Sequence, residues 1–177
     1  MKKLTTVEER FVLHWGEMGV RWGLNRTVAQ VHALLFISPK PLNAEEMCET
    51  LSVARSNIST SLRELQNWGI VRIVHAMGDR RDHFESVRDV WELFRIVLDE
   101  RKKRELDPTL AVLRECIAQA TQDKETTPFV EERLRELHGF FETTTGWYEQ
   151  IRKLPTSGLV AFLKLGDKVK KLFGLGK

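Results

Sequence analysis

Apolar residues recur at every third or fourth position over most of the chain, and this spacing predicts a series of amphipathic helices. A first helix carries an apolar stripe that ends near Gly23, and a second starts at Asn25 and ends before Pro39. Two shorter helices follow at Ala44–Leu51 and Ala54–Trp68. These boundaries are expected because asparagine caps the start of a helix, while glycine and proline end helices.

The period of the pattern changes after Gly69. Val71–His75 and Asp82–Ser86 alternate and are rich in residues that favour strands, which predicts two short β-strands. The intervening turn, Met77–Arg81, closes the strands into a hairpin. Two short helices followed by a hairpin predict a winged helix-turn-helix.

The remainder of the chain predicts longer helices. A stripe over Val87–Leu98 is followed by a helix restart at Asp107–Pro108, with the aspartate as cap, and by a long helix after Thr127–Pro128. The heptad-like spacing of their apolar residues favours a partner helix. We therefore expect a mainly α fold with a small two-stranded β wing: a winged helix-turn-helix domain plus a helical dimerisation region.

Four segments follow from this pattern. Residues 1–24 form an N-terminal helix for dimerisation, and residues 25–87 form the winged helix-turn-helix domain that binds DNA. Residues 88–154 form a helical region for dimerisation and ligand binding, and residues 155–177 form a basic amphipathic tail. Such a tail either packs its apolar face on the protein, which we favour, or lies on an anionic membrane.

Composition narrows the class of protein. Of the 177 residues, 42% are hydrophobic and 30% are charged, which is typical of a folded chain, and no segment predicts a signal peptide or a membrane span. Cys48 and Cys116 lie far apart and are expected to be reduced thiols, which favours a cytoplasmic protein. The net charge of +3 is too small to indicate nucleic-acid binding by itself.

The sequence offers little chemistry of the kind that enzymes need. Its five histidines are scattered without metal-binding spacing, and no glycine loop of the phosphate-binding type follows a strand. We therefore expect no metal site, no cofactor and no enzymatic activity.

The helix Ala54–Trp68 carries the strongest indication of function. One of its sides is apolar, whereas the other is small, polar and basic, which suits close approach to the edges of bases in the major groove. The arginines at the tip of the hairpin suit the negative potential of a minor groove. The predicted DNA-contacting residues are Arg55, Ser56, Asn57, Ser59, Thr60 and Arg63 on the helix, with Arg80 and Arg81 on the wing.

Four stretches carry a family resemblance: Met18–Arg26, Leu42–Trp68, Gly78–Asp82 and Asp89–Phe94. From about residue 8 to about residue 120 the chain resembles the GbsR-like branch of the MarR-type winged-helix transcriptional regulators. The resemblance implies a homodimer, held by helices from both ends of the chain, that places two recognition helices on a pseudo-palindromic DNA operator. It also implies control of genes for osmoprotectants and a choline-like effector.

A small-molecule effector is compatible with the aromatic residues, because their ring faces attract quaternary ammonium groups. Trp15, Trp22 and Trp91 are the candidate ligand-binding residues, although core packing is the alternative role for each. We therefore predict a homodimeric, sequence-specific regulator, a repressor, controlled by an osmoprotectant-like ligand. The main alternative is a winged-helix module that binds protein partners and does not bind DNA.

Overall fold

A computed structural model describes residues 3–75 and 77–161, which divide into two compact units, the first ending at Val97 and the second starting at Leu98. The elements up to the wing are α1 Thr6–Arg21, α2 Arg26–Ile37, β1 Leu42–Asn43, α3 Ala44–Leu51, α4 Arg55–Asn67, β2 Val71–Val74 and β3 His83–Ser86. The later elements are α5 Val90–Arg101, a π-helical segment Lys102–Leu106, α6 Asp107–Ala120 and α7 Pro128–Arg152. The predicted mainly α fold is confirmed.

The helix starts follow from side chains that cap them. Asn43 accepts a hydrogen bond from the backbone N–H of Glu46 at 3.0 Å, and the Glu46 carboxylate accepts one from the backbone N–H of Asn43 at 2.8 Å. This reciprocal capping box satisfies two backbone donors that the first turn of a helix leaves open. Asn25 caps α2 through the N–H of Thr27, as predicted, and Thr127 caps α7 through the N–H of Val130.

Glycines on α1 let that helix approach α2 closely. A Cβ atom on Gly19 would lie 2.4 Å from the Cβ atom of Ala29, and one on Gly16 would lie 2.7 Å from Cγ of Gln30. Neither distance is sterically allowed: a side chain at Gly19 would push the helices apart, and one at Gly16 would force the Gln30 side chain to move. The glycines in the first helix therefore mark close packing between these two helices.

The core of the first unit lies between α2, the helix pair α3 and α4, and the sheet. Val31, Met47 and Ile58 are fully buried at its centre. The sheet has the order β1-β3-β2, with both pairings antiparallel. The predicted hairpin is confirmed, but the sheet has a third strand: β1 contributes only Leu42 and Asn43, which is too short for alternation to reveal.

The predicted helix restart with Asp107 as cap is wrong. The backbone stays helical through this point, and the N–H of Asp107 donates to the carbonyl of Lys102, five residues earlier. Pro108 has no N–H to donate, and the wider π-helical turn before it accommodates the change in hydrogen-bond register. The Asp107 carboxylate instead forms an ion pair with Lys102 at 2.8 Å.

The second unit is built on α6 and α7, with the π-helical segment beside them. Leu110, Leu113 and Thr145 are buried there, and the hydroxyl of Tyr148 donates to Asp99 at 2.6 Å. Burial and this carboxylate raise the pKa of Tyr148 well above its usual value. The outer side of α7 leaves large apolar side chains exposed at 45% to 69%: Phe129, Val130, Leu137, Phe140 and Trp147.

The predicted basic tail falls mostly outside the described residues. Residues 156–161 are helical, and the basic positions from Lys164 onward lie beyond the part of the chain that the structure describes. Among the described residues, no helix combines the length and apolar character needed to cross a membrane.

A buried histidine sits among aromatic rings in the first unit. His32 lies with its ring centroid 6.3 Å from that of Trp15 and 6.0 Å from that of Phe36, and its Nε2 atom has no hydrogen-bond partner among the described residues. Loss of hydration on burial lowers the pKa of His32 to about 4. The histidine is therefore neutral in the folded protein at neutral pH.

This histidine should make the protein less stable in mild acid. In the unfolded chain His32 binds a proton near pH 6.5, whereas in the folded protein it resists protonation down to about pH 4. The free energy of unfolding is therefore unaffected by His32 above pH 6.5 and falls as the pH drops below that value. Between about pH 7.5 and about pH 5 the free energy of unfolding should fall by about 2 kcal/mol on this account. Urea unfolding at the two pH values measures the loss.

The non-titrating variant His32→Phe should lose much less stability over the same range. His14→Gln, which changes an exposed histidine on α1, should behave like the unchanged protein. An equal loss of stability in the unchanged protein and in His32→Phe would show that protonation of His32 is not the cause of the loss.

Candidate nucleic-acid interface

The connection between α3 and α4 is a tight turn. Ser52 adopts a left-handed backbone conformation with φ of 53°, and the N–H of Val53 donates to the carbonyl of Cys48 at 3.2 Å. Helix α4 then begins at Arg55, and its N-cap, Ala54, makes no side-chain cap. The first N–H groups of α4 are therefore left for other acceptors, and a phosphate is the acceptor that a helix N-terminus favours.

Helix α4 has a buried side and an exposed side, as predicted. Ile58, Leu62 and Leu65 are buried against the rest of the first unit. Among the predicted contact residues, Ser59 is half-buried and the others are exposed: Arg55, Ser56, Asn57, Thr60 and Arg63. The structure thus brings small polar and basic side chains together on one outward surface, the arrangement that major-groove reading requires.

The two arginines of the wing tip lie in different surroundings. Arg81 binds Asp79 through Nη2 at 2.6 Å and through Nε at 3.0 Å, and its backbone N–H donates to the same carboxylate. These hydrogen bonds hold the pKa of Asp79 well below its usual range. Arg80 is exposed and has no side-chain partner among the described residues. Arg81 is therefore held in place, whereas Arg80 can reach outward.

The basic residues of α4 differ in the same way. Arg55 forms an ion pair with Glu45 in the first turn of α3. The pKa of Glu45 is lowered, first by a hydrogen bond from backbone N–H and then by Arg55. Arg63 forms no ion pair with any described residue, so its guanidinium is available to an external anion.

The structure adds one basic residue that sequence reasoning missed. Arg72 lies on β2 directly opposite Glu85 of β3, and the two side chains form an ion pair at 2.6 Å. Its side chain is 81% exposed. Alternation along β2 predicts on which face of the hairpin the Arg72 side chain lies. Its pairing with Glu85 depends on the register of the two strands, which the sequence pattern alone does not determine.

The candidate ligand residues do not form one aromatic cage. Trp15 packs on Phe11, with ring centroids 5.4 Å apart, and on His32. Trp91 makes an edge-to-face contact with Phe94, and no ring contact joins it to Trp15 among the described residues. Trp22 is the C-cap residue of α1 and is 53% exposed. A ligand that contacts Trp15 therefore contacts a different aromatic cluster from that of Trp91.

Comparison with known proteins bears on this interface. A sequence model for the MarR family matches residues 22–82, which hold α2, the helix pair α3 and α4, and the wing tip. The chain is 22% identical over 149 residues to the Bacillus subtilis protein described as the HTH-type transcriptional regulator YvaV, covering 83% of this chain and 84% of that one. It is 21% identical over 139 residues to the Bacillus subtilis HTH-type transcriptional repressor GbsR, covering 77% of each.

A solved structure supports the fold. The crystal structure of a transcriptional regulator matches with a TM-score of 0.63 at 20% sequence identity, over 89% of this chain and 99% of that chain. The family and the relatives are transcriptional regulators, so the prediction that the chain is not an enzyme is confirmed. In the described part of the chain no group of three His, Cys, Asp or Glu side chains could hold a metal ion.

Proposed function

We propose that this chain is a MarR-type homodimeric repressor of transcription that binds a pseudo-palindromic DNA operator. The observation that carries the proposal is the exposed polar side of α4 beside a wing whose tip presents arginine. DNA binding and transcription regulation follow from the family and its relatives. Repression, dimerisation and the contact residues are our proposals, and the name of GbsR as a repressor supports the first.

In the proposed complex, α4 enters the major groove. Ser56, Asn57 and Thr60 have short side chains that allow the helix to come close to the base edges and form hydrogen bonds there. Arg63 neutralises a phosphate, and Arg80 enters the adjacent minor groove, where the negative potential attracts it. Residues 25–87 are the DNA-binding segment in this proposal.

The proposed dimer uses helices from residues 1–24 and 88–154. The apolar side chains exposed on α7 support it, because Val130, Leu137, Phe140 and Trp147 recur at helical spacing along one face of the helix. Large apolar side chains exposed along one face of a helix are typical of an interface. In a symmetric dimer the two α4 helices would meet half-sites about 34–36 Å apart.

The DNA contacts can be tested by removing the unpaired Arg63 of α4 and both arginines of the wing tip. The DNA is a duplex that the unchanged protein selects from a random pool. Arg63→Ala and the double variant Arg80→Ala/Arg81→Ala should each lower the affinity for this duplex about tenfold and reduce the salt dependence of binding. Fluorescence anisotropy at a series of salt concentrations measures both. Lys124→Ala, which removes a charge from the polar loop after α6, should change neither.

Two results would contradict this assignment. Unchanged binding in both arginine variants would remove Arg63 and the wing tip from the interface. No salt-dependent binding of any duplex by the unchanged protein would instead favour the alternative, a winged-helix module that binds protein partners.

The dimer can be tested on α7. Leu137→Glu/Phe140→Glu should convert the protein to a monomer in sedimentation velocity, because burying two new carboxylates in an apolar interface is strongly unfavourable. Gln119→Glu, on an exposed position of α6, should leave the sedimentation coefficient unchanged. A double variant that sediments as a dimer would exclude this face, and an unchanged protein that is monomeric would exclude the dimer.

The proposed effector, a small osmoprotectant-like molecule, rests on the resemblance and on the candidate tryptophans, of which Trp15 and Trp22 are exposed and Trp91 is half-buried. Titration with choline or glycine betaine should change the tryptophan fluorescence of the protein at millimolar ligand, because a quaternary ammonium group stacks on an aromatic face. Trp15→Phe and Trp91→Phe identify which cluster responds. A flat titration with both compounds would contradict the proposed effector class.

A further inference from the structure

Glu45 occupies an unusual position for an acidic residue, beside two arginines of the proposed DNA interface. It lies in the first turn of α3 and forms an ion pair with Nη1 of Arg55, the first residue of α4. The start of α3 also lies beside the wing, because Asn43 pairs with His83 across β1 and β3. The hydrogen bond and charge of Asp79 raise the pKa of Arg81 at the wing tip, and the charge of Glu45 adds to that shift.

The pair between Glu45 and Arg55 contributes little to folding. The side chains are 47% and 58% exposed, and exposed ion pairs add little stability because water and salt screen them. Neither side chain belongs to the core of the first unit. The contact therefore has its main consequence at the surface, where it determines which groups Arg55 can meet.

A carboxylate at this place affects two kinds of DNA contact in opposite ways. It repels any phosphate that approaches Arg55, and a phosphate contact has to compete with the existing ion pair. A guanidinium group has five N–H donors, and a carboxylate that binds Nη1 leaves Nη2 and Nε for other acceptors. Arginine held in this way is already oriented for the bidentate contact with the O6 and N7 atoms of guanine.

We infer that Glu45 is a specificity-determining residue of the proposed DNA-binding function, which positions Arg55 for contact with a base and disfavours its contact with phosphates. The inference rests on the proposed function. It assigns different roles to the arginines of the interface: Arg63 and Arg80 supply affinity that is independent of sequence, whereas Arg55 and its carboxylate discriminate between sequences.

The test compares two DNA duplexes: one that the unchanged protein selects from a random pool, and one of scrambled sequence. Specificity is the ratio of the affinity for the first duplex to the affinity for the second. Glu45→Gln should bind the scrambled duplex several-fold more tightly, and its salt slope on that duplex should steepen by about one, because Arg55 gains a phosphate contact. The specificity ratio should fall about tenfold. Thermal unfolding of each variant confirms that it is folded.

Two further variants separate positioning from a general charge effect. Glu49→Gln removes the same charge from an exposed position on the same helix and should leave the specificity ratio unchanged. In the Arg55→Gln background, Glu45→Gln should cause no further change, because its effect acts through Arg55.

Three outcomes would overturn the inference. In the first, Glu45→Gln strengthens binding to both duplexes equally. In the second, Glu45→Gln still changes the ratio when Arg55 is absent. In the third, the unchanged protein selects no duplex, and this result overturns the proposed function as well; the first two results leave the proposed function intact.

Discussion

The burial of one side of α4 is the contact on which the proposed interface depends. Ile58, Leu62 and Leu65 pack into the core formed with α2 and α3, and this packing leaves a single rotation for the helix about its own axis. Because residues three and four apart share a helix face, burying these three leaves most of the small polar and basic residues between them exposed. The interface is thus a consequence of core packing.

The electrostatic character of this interface depends on the ion pairs of individual arginines and not on the net charge of the chain. The chain carries a net charge of only +3, but the arginines on α4 and the wing have specific surroundings. Arg55 and Arg81 are each held by a nearby carboxylate, whereas Arg63 and Arg80 form no such ion pair among the described residues. A paired arginine is restricted in direction, and an unpaired one is free to follow a phosphate. This difference allows one surface to combine affinity with discrimination.

The second unit has a different character. Two of its ion pairs lie where the π-helical segment meets α6 and α7, with Lys102 2.8 Å from Asp107 and 3.5 Å from Glu149. The apolar side chains on the outer face of α7 remain exposed in the single chain. Buried apolar residues such as Leu110 and Leu113 therefore pack this unit internally, with ion pairs at its edge, while further apolar side chains face outward, as expected of a region that associates with a second copy.

The sequence by itself determined the order of the elements, the ends of most helices, the two faces of α4 and the hairpin, because caps, turns and periodicity act over a few residues. It misassigned Asp107 and missed β1, since a π-helical turn and a two-residue strand leave no periodic signal. Only the tertiary structure decided which arginines are paired. Glu45 lies at the start of α3 and its partner Arg55 at the start of α4, while Arg72 and its partner Glu85 lie on the two strands of the hairpin. Both contacts therefore depend on how the elements pack. Local interactions decide where a helix begins, whereas the partners of its exposed side chains depend on packing between segments distant in the chain.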